Sequence, residues 1–448
     1  MGMNDPTHPV HRTICGESGV WARVGSFMAS LKIEARRERK RNWTIRISLD
    51  PAATENHHLS HQHPPQFAYE TDGSSPLEEQ AATTDHSLFT SKDISSMEGE
   101  GECSDNPFTS VMTLTKMRVP HVPQRYVLPP SQRPTLTLDL TANLPIVDLS
   151  TLHHASQRSL TLDTIQGACK ELGFFQVVNH GIPLPVIHDA LAAATEFFNL
   201  SLEEKMTLLS DNVHNPVRYG TSLNHASDKV HYWRDFIKHY SHPISDWIHL
   251  WPSNPPSYKD KMGNYAKAVQ VLHKQLMEAI LETLGLNFGN LQKEIEEGNQ
   301  LMAINCYPAC PEPDLTLGMP PHSDYGTLTV LLQSGPGLQL QDNKKKWLSV
   351  PFVEGALLVQ LGDQIEVMSN GQYKSVVHQV TLSAENKRLS IASLHSLPIN
   401  KKIGPAPELV DEQHPVSYNE FSFRDFLDYI SSNDIADKRF IDSIKKSV

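Results

Sequence analysis

The sequence predicts an α+β chain, with a helical N-terminal half leading into a β core of sandwich or jelly-roll type, on three observations. A long amphipathic helix is written into residues 258–284. After about residue 300 the hydrophobic period falls from 3.6 toward 2. Eight short β-rich runs follow, separated by turn residues, a pattern that limits exposed edges when two sheets close on one another.

Residues 1–110 read as an unstructured N-terminal extension. Residues 1–50 hold nine Lys and Arg against five acids, whereas 51–110 hold one, Lys92, against eleven. A basic run from Arg36 to Arg41 gives way to a His/Pro/Ser-rich stretch around His57, His58, His61 and His63, then to Glu98-Gly-Glu-Gly-Glu102. Such composition buries too little apolar surface to offset chain entropy. The basic run also fits a nuclear or plastid address, though a solvated tail is the simpler reading, and the His cluster lacks the Cys partners of a designed zinc site.

Order is expected from a Pro-rich lead-in at 120–134 onward, with residues 111–298 as the N-terminal region. Leu144 to Leu149 reads as a short strand. Residues 162–172 place Ile165, Ala168, Cys169 and Leu172 on one helical face, and Gly173 supplies the stop. Phe174-Phe-Gln-Val-Val178 reads as a buried strand closed by the turn Asn179-His-Gly181. Helices follow at 185–199, 202–209 and 258–284, the last with Tyr265, Val269, Leu272, Leu276 and Ile280 at helical spacing. In the core, 299–400, strands are expected at 302–307, 327–333, 338–341, 347–350, 356–361, 365–368, 375–380 and 388–393, with Asn370-Gly371 as a hairpin turn. The C-terminal segment, 401–448, carries a closing helix at 421–430.

The chain has 448 residues and a net charge of −12, which disfavours a general nucleic-acid or anionic-membrane binder. No apolar run is long enough to span a bilayer, and the first residues lack a signal-peptide core. Five scattered cysteines suit free thiols in a reducing compartment. A cytoplasmic protein acting on a small molecule is the expectation.

His322-Ser-Asp324 places an imidazole and a carboxylate on one face only if the chain there is extended. With 23 His and 25 Asp in the chain, chance alone produces such a tripeptide, so the context carries the inference. A third ligand should come from another strand, and His378 stands 54 residues past Asp324 in an apolar run; taken singly it also reads as a satisfied core histidine. Two His and one carboxylate form the facial triad associated with non-haem Fe(II) oxygenases. Arg388-Leu-Ser390 repeats the i, i+2 spacing and offers a guanidinium fork and a hydroxyl to a carboxylate, unless Arg388 is simply a surface residue of an edge strand. Asn305 and Tyr307 flank Cys306 in the same way. The segment Trp233-Arg-Asp-Phe236, with Trp247 and Trp251, reads chiefly as core, one of its side chains being a candidate to line the pocket, and Asp363 reads as a turn cap.

Together with Asn305-Cys-Tyr-Pro308 and Gly173-Phe-Phe-Gln-Val-Val-Asn-His-Gly181, these blocks, in this order, resemble the plant Fe(II)/2-oxoglutarate-dependent dioxygenases over roughly residues 115–430. The nearest resemblance is to the flavanone 3-hydroxylase-like and downy-mildew-resistance-type oxygenases. It implies a double-stranded β-helix with Fe(II) on His322, Asp324 and His378. It also implies 2-oxoglutarate held by Arg388 and Ser390, with help from Tyr307 and Asn305, O2 as second cosubstrate and ascorbate as reductant. The reaction implied is hydroxylation or desaturation of a small metabolite with release of succinate and CO2. Flavanones, salicylate-like phenolics and gibberellins are the candidates. Where the family commonly has Tyr this chain has Cys306, expected to point away from the site. Leu394 stands where flavonoid-acting members usually place a Phe that stacks on substrate. An iron oxidase that does not consume 2-oxoglutarate would keep the same residues, and a non-catalytic metal-stabilised module would need a missing ligand or a blocked cavity.

Overall fold

The computed structural model describes residues 31–38, 42–49, 108–134, 140–225, 228–433 and 439–446, the first two stretches by backbone alone. The chain divides into two compact units, Met1–Glu100 and Gly101–Val448. In the first, β1 (Leu31–Glu38) and β2 (Asn42–Leu49) pair antiparallel, with Leu31 opposite Leu49 and Glu38 opposite Asn42. This hairpin departs from the expected unstructured extension. Leu31, Ile33 and Ala35, then Trp43, Ile45, Ile47 and Leu49, recur at every second residue, a strand period masked by the surrounding charge. The His cluster at 57–63, the acidic run at 98–102, Cys15 and Cys103 lie outside the described residues.

The second unit opens with α1 (Val111–Lys116), β3 (Ile146–Asp148), α2 (Arg158–Glu171), β4 (Phe174–Val178), α3 (Leu184–Asn199) and α4 (Leu202–Met206). It continues with β5 (Val217–Thr221), β6 (Asp235–His242), α5 (Ile244–Trp247), α6 (Tyr258–Thr283) and α7 (Gln292–Glu296). The core then runs β7 (Asn299–Tyr307), β8 (Met319–His322), β9 (Leu328–Gln333), β10 (Leu338–Gln341), β11 (Trp347–Ser349), β12 (Leu357–Leu361), α8 (Asp363–Met368), β13 (His378–Val380) and β14 (Arg388–Ser396). Helices α9 (Phe423–Ser432) and α10 (Phe440–Ile444) follow. One sheet has the order β3-β4-β12-β9-β14-β7-β6-β5, the other β11-β10-β13-β8. Every pairing is antiparallel except β3 with β4. The fold is α+β with a double-stranded β-helix.

Local chemistry accounts for the frame. The α6 face predicted from spacing is buried, with Tyr265, Val269, Leu272, Leu276 and Ile280 against α3 and the large sheet, each such side chain stabilising by about 1.5–3 kcal/mol. Gly173 ends α2 at φ +62, and a Cβ there would sit 2.2 Å from the Lys374 carbonyl oxygen, so only glycine fits between helix and β4.

Four differences from the sequence reading have physical causes. The N-terminal region supplies not only helices but four strands of the large sheet, β3 to β6. Of these, β5 and β6 escape detection because polar and apolar residues occupy both faces of β6. Strand β8 is hidden by Pro320 and Pro321, which a ladder tolerates because β8 is an edge strand. The run at 365–368 is helical, not extended. All six residues of α8 are buried, so no period shows, and the amides of Asp363 and Gln364 find acceptors in the carbonyls of Asp324 and Gly326. Asn370 and Gly371 do take positive φ, at 51° and 81°, but they close α8 through a Gly371 amide to Glu366 carbonyl bond instead of joining two strands. Asp363 correspondingly begins a helix.

Candidate active site

Both sheets contribute to a cavity of about 600 Å³. His322 ends β8 and His378 begins β13, directly opposite it in register. Asp324 follows two residues on, where the Asp363 amide holds its carbonyl at 2.7 Å. His322 Nε2 and His378 Nε2 stand 3.7 and 3.8 Å from Asp324 Oδ1, and all three residues are buried. One ligand atom from each lies within 4.8 Å of the others, the one such group among the described residues.

The tautomers follow from the backbone. His322 Nδ1 lies 2.8 Å from the Pro320 carbonyl and His378 Nδ1 lies 3.1 Å from that of Val376. A carbonyl only accepts, so both Nδ1 atoms carry a proton and both Nε2 atoms are left facing Asp324. Burial pushes the His322 imidazole down to about 3, with His378 adding to the shift and Asp324 opposing it. The ring is therefore neutral at ordinary pH and able to ligate. Two imidazoles presenting Nε2 and one carboxylate suit a divalent first-row metal and leave several coordination positions to other donors.

A second group lines the same cavity. Arg388 and Ser390 share one face of β14, opposite Tyr307 and Asn305 on β7. The Arg388 guanidinium lies 5.2 Å from the centre of the Tyr307 ring; its Nε donates to the Gly335 carbonyl and its Nη2 to Gln333 Oε1 at 2.9 Å. Its Nη1 is buried with no partner. A buried guanidinium edge without an acceptor is costly unless an anion completes it. Asn305 Nδ2 donates to Ser390 Oγ, and Asn305 Oδ1 accepts from Arg234 Nη1 at 3.1 Å. Asn305 thus braces Ser390 against Arg234.

All seven sequence-expected residues line this one cavity. Cys306 does not, and its Sγ packs 3.5 Å from Met112 Sδ. Leu394 lines the cavity wall. Trp233 is buried with Tyr126 and Val111, Trp251 packs 4.0 Å from His239, and Trp247 lies against Tyr240; none lines the cavity. Of the segment Trp233-Arg-Asp-Phe236 and its neighbours Trp247 and Trp251, Arg234 and Phe236 do line the cavity, whereas the sequence reading passed over Arg218 and Lys238 at the opposite end, as well as Gln333, which holds Arg388. Only the alternation Phe236, Lys238, Tyr240 could have revealed that end.

Comparison with known proteins gives the same picture. Residues 298–396 match the family model of the 2OG-Fe(II) oxygenase superfamily, and residues 144–254 match that of the non-haem dioxygenase in morphine synthesis N-terminal region. The chain is 45% identical over 321 residues to 2-oxoglutarate-dependent dioxygenase 21, chloroplastic, of Oryza sativa subsp. japonica, covering 71% of this chain and 93% of that protein. It is 42% identical to flavanone 3-dioxygenase 3 of the same species, covering 67% and 93%. Among solved structures, JOX2 in complex with 2OG, Fe and JA superposes with a TM-score of 0.68 at 29% identity, over 76% of this chain and 99% of that one.

Proposed function

Because this chain belongs to the Fe(II)/2-oxoglutarate-dependent dioxygenases, enzymes that use Fe(II), 2-oxoglutarate and O2, we propose that His322, Asp324 and His378 are its iron ligands and Arg388 its cosubstrate anchor. The observation that carries the assignment is one cavity holding both three converging ligand atoms and the partnerless Arg388 Nη1. Iron with 2-oxoglutarate and O2 supplies the oxidation, the 2-oxo acid leaving as succinate and CO2 while a substrate C–H is hydroxylated or a C–C bond desaturated.

The protein's part is positioning. The Pro320 and Val376 carbonyls fix both imidazoles by their Nδ1 protons, so neither ring needs to reorient. Arg388 and Ser390 receive the distal carboxylate of 2-oxoglutarate. Gly335 and Gln333 hold the guanidinium by two of its nitrogens, aiming the third. Tyr307 walls that arm, and Asn305 keeps Ser390 in place. Leu301, Ala303, Ala392 and Leu394 line the wall toward β6 and exclude water from the reacting region.

The substrate is a small plant metabolite. The name of one relative makes a flavanone the first candidate, and phenolic acids and gibberellins are the alternatives. Succinate release is measured with Fe(II), ascorbate and 2-oxoglutarate across all three classes. Stimulation by one compound, with a product one oxygen heavier or two hydrogens lighter, is expected. Bound iron with no 2-oxoglutarate turnover would sink the reading. A cytoplasmic location is proposed with it, and a full-length fluorescent fusion found in plastids or nuclei would overturn that.

A further inference from the structure

The end of the cavity remote from Arg388 is cationic. Strand β6 turns Phe236 and Lys238 toward the cavity, and register sets Lys238 between Arg218 on β5 and Ala303 on β7. Ala303 in turn faces Ala392 on β14, so the lysine looks across two small side chains. Arg218 and Arg234 flank the Phe236 ring at 5.1 and 4.7 Å. Both guanidiniums are pinned by backbone carbonyls, Arg218 by those of Ser210 and Leu223 and Arg234 by that of Ser222, while Arg234 Nη1 reaches back to Asn305 Oδ1 and so links this end to the Arg388 group. Asp228 also lines this end, but its Oδ2 is engaged by the Ser222 hydroxyl and the amides of Leu223 and Asn224. Among the described residues no acceptor reaches Lys238 Nζ. Burial, then Arg218 and Arg234, lower its affinity for a proton, and no carboxylate offsets them.

Two fixed guanidiniums beside a lysine that has lost proton affinity, with no carboxylate aimed at it, form a site that an entering anion would complete, restoring the lysine's charge. The 2-oxoglutarate carboxylates cannot supply it, since they are taken by the iron and by Arg388. We propose that the substrate carries an anionic group, a carboxylate in the first instance, and that Lys238, supported by Arg218, receives it. This deepens the function proposed above and rests on it, because it takes the iron end as the place of reaction. The carboxylate is held while a C–H bond elsewhere in the molecule is presented to the iron end. A neutral flavanone leaves Lys238 unanswered. An acid does not.

The test uses the full-length protein loaded with Fe(II), saturated with 2-oxoglutarate so that Arg388 is occupied, and kept without oxygen so that nothing turns over. Salicylate, cinnamate and gibberellic acid are each titrated by calorimetry against their own methyl esters, with a flavanone as neutral reference. At least one acid is expected to bind about tenfold or more tighter than its ester. That preference should fall below about twofold in Lys238→Met and return in Lys238→Arg. Lys238→Gln stands in if Lys238→Met does not fold. If no acid binds better than its ester, or if the preference survives in the uncharged variants, the inference is overturned. Succinate release by the wild type in oxygen is read separately: its absence would remove the function and leave the charge preference standing.

Discussion

The two ends of the cavity are built by different means. At the iron end the imidazoles are oriented by chain close to them in sequence, His322 by the Pro320 carbonyl and His378 by the Val376 carbonyl, with Asp324 two residues from His322, while the β8–β13 register and the Asp363 amide bring the three together. At the β5–β6 end position comes from cross-strand register, Arg218 opposite Lys238 and Gly220 opposite Phe236, with no local partner for the lysine. The first arrangement keeps a metal geometry whatever happens to the surrounding wall. The second lets residue identity change without disturbing the backbone, which suits the part of an oxygenase that selects its substrate.

The harshest way to break this division is to remove a ligand. His322→Ala or Asp324→Ala should reduce 2-oxoglutarate turnover to background with the fold retained, since the imidazole and carboxylate are replaced without touching the ladder. Metal content and succinate release measure it, and full activity in either variant would discard the triad. A smaller break lies at Arg388. Arg388→Lys keeps the charge but loses the fork, so the KM for 2-oxoglutarate should rise about 10- to 100-fold, equivalent to a lost charge-assisted hydrogen bond. The KM for substrate should move far less. Equal rises in both would show that Arg388 does not separate the two ends.

The same division explains what was legible beforehand. Arg388-x-Ser390 could be read because a strand puts i and i+2 on one face, and the runs around His378 and Arg388 are visibly extended; His322-x-Asp324 was read on the same premise, although β8 ends at His322 and Asp324 lies just beyond it. The α6 face and the β4 run were equally plain, one periodic and the other apolar but for Gln176. Strand β8 was not, because two prolines contradict a strand until its edge position is known. Helix α8 misread as extended because its first amides are satisfied by carbonyls 39 and 38 residues earlier, a fact of tertiary structure. Lys238 stayed unseen for a similar reason: a lone lysine between Ile237 and His239 acquires meaning only from Arg218 and Ala303 across the ladder.

A milder perturbation sharpens the contrast from the other side. A Cβ at Gly220 would lie 2.8 Å from Phe236 Cζ, and that ring is held between two guanidiniums and cannot retreat freely. Gly220→Ala should therefore displace Phe236 along the cavity at a cost of about 1–3 kcal/mol of overpacking. The expected readout is a rise of about tenfold in substrate KM, with the 2-oxoglutarate KM unchanged. A matching rise in the 2-oxoglutarate KM would mean that the two ends are mechanically coupled and that the division drawn between them is too sharp.

The smallest expected effect concerns the scaffold behind both ends. His273 on α6 donates or accepts at 3.1 Å with Thr327 Oγ1 and packs 4.0 Å from His395, both rings fully buried. Burial pushes His273 down to about 3 and His395 well below its usual range, with His242 adding to both. In the unfolded chain each imidazole titrates near 6.5, so below that pH the unfolded state binds protons that the folded state refuses. The stability these groups contribute is complete above pH 6.5 and is lost as pH falls toward 3, at about 1 kcal/mol per group per pH unit. Denaturant unfolding at pH 7 and pH 5.5 should show the loss, and His273→Gln should make it shallower by one proton. His322, buried and neutral in the same way, should keep this dependence when Fe(II) is bound, because a ligated Nε2 refuses a proton in the folded state as the buried ring already does, while metal binding adds its own free energy to that state. A His322→Ala variant that gains as much stability from Fe(II) as the wild type would place the metal elsewhere than on His322.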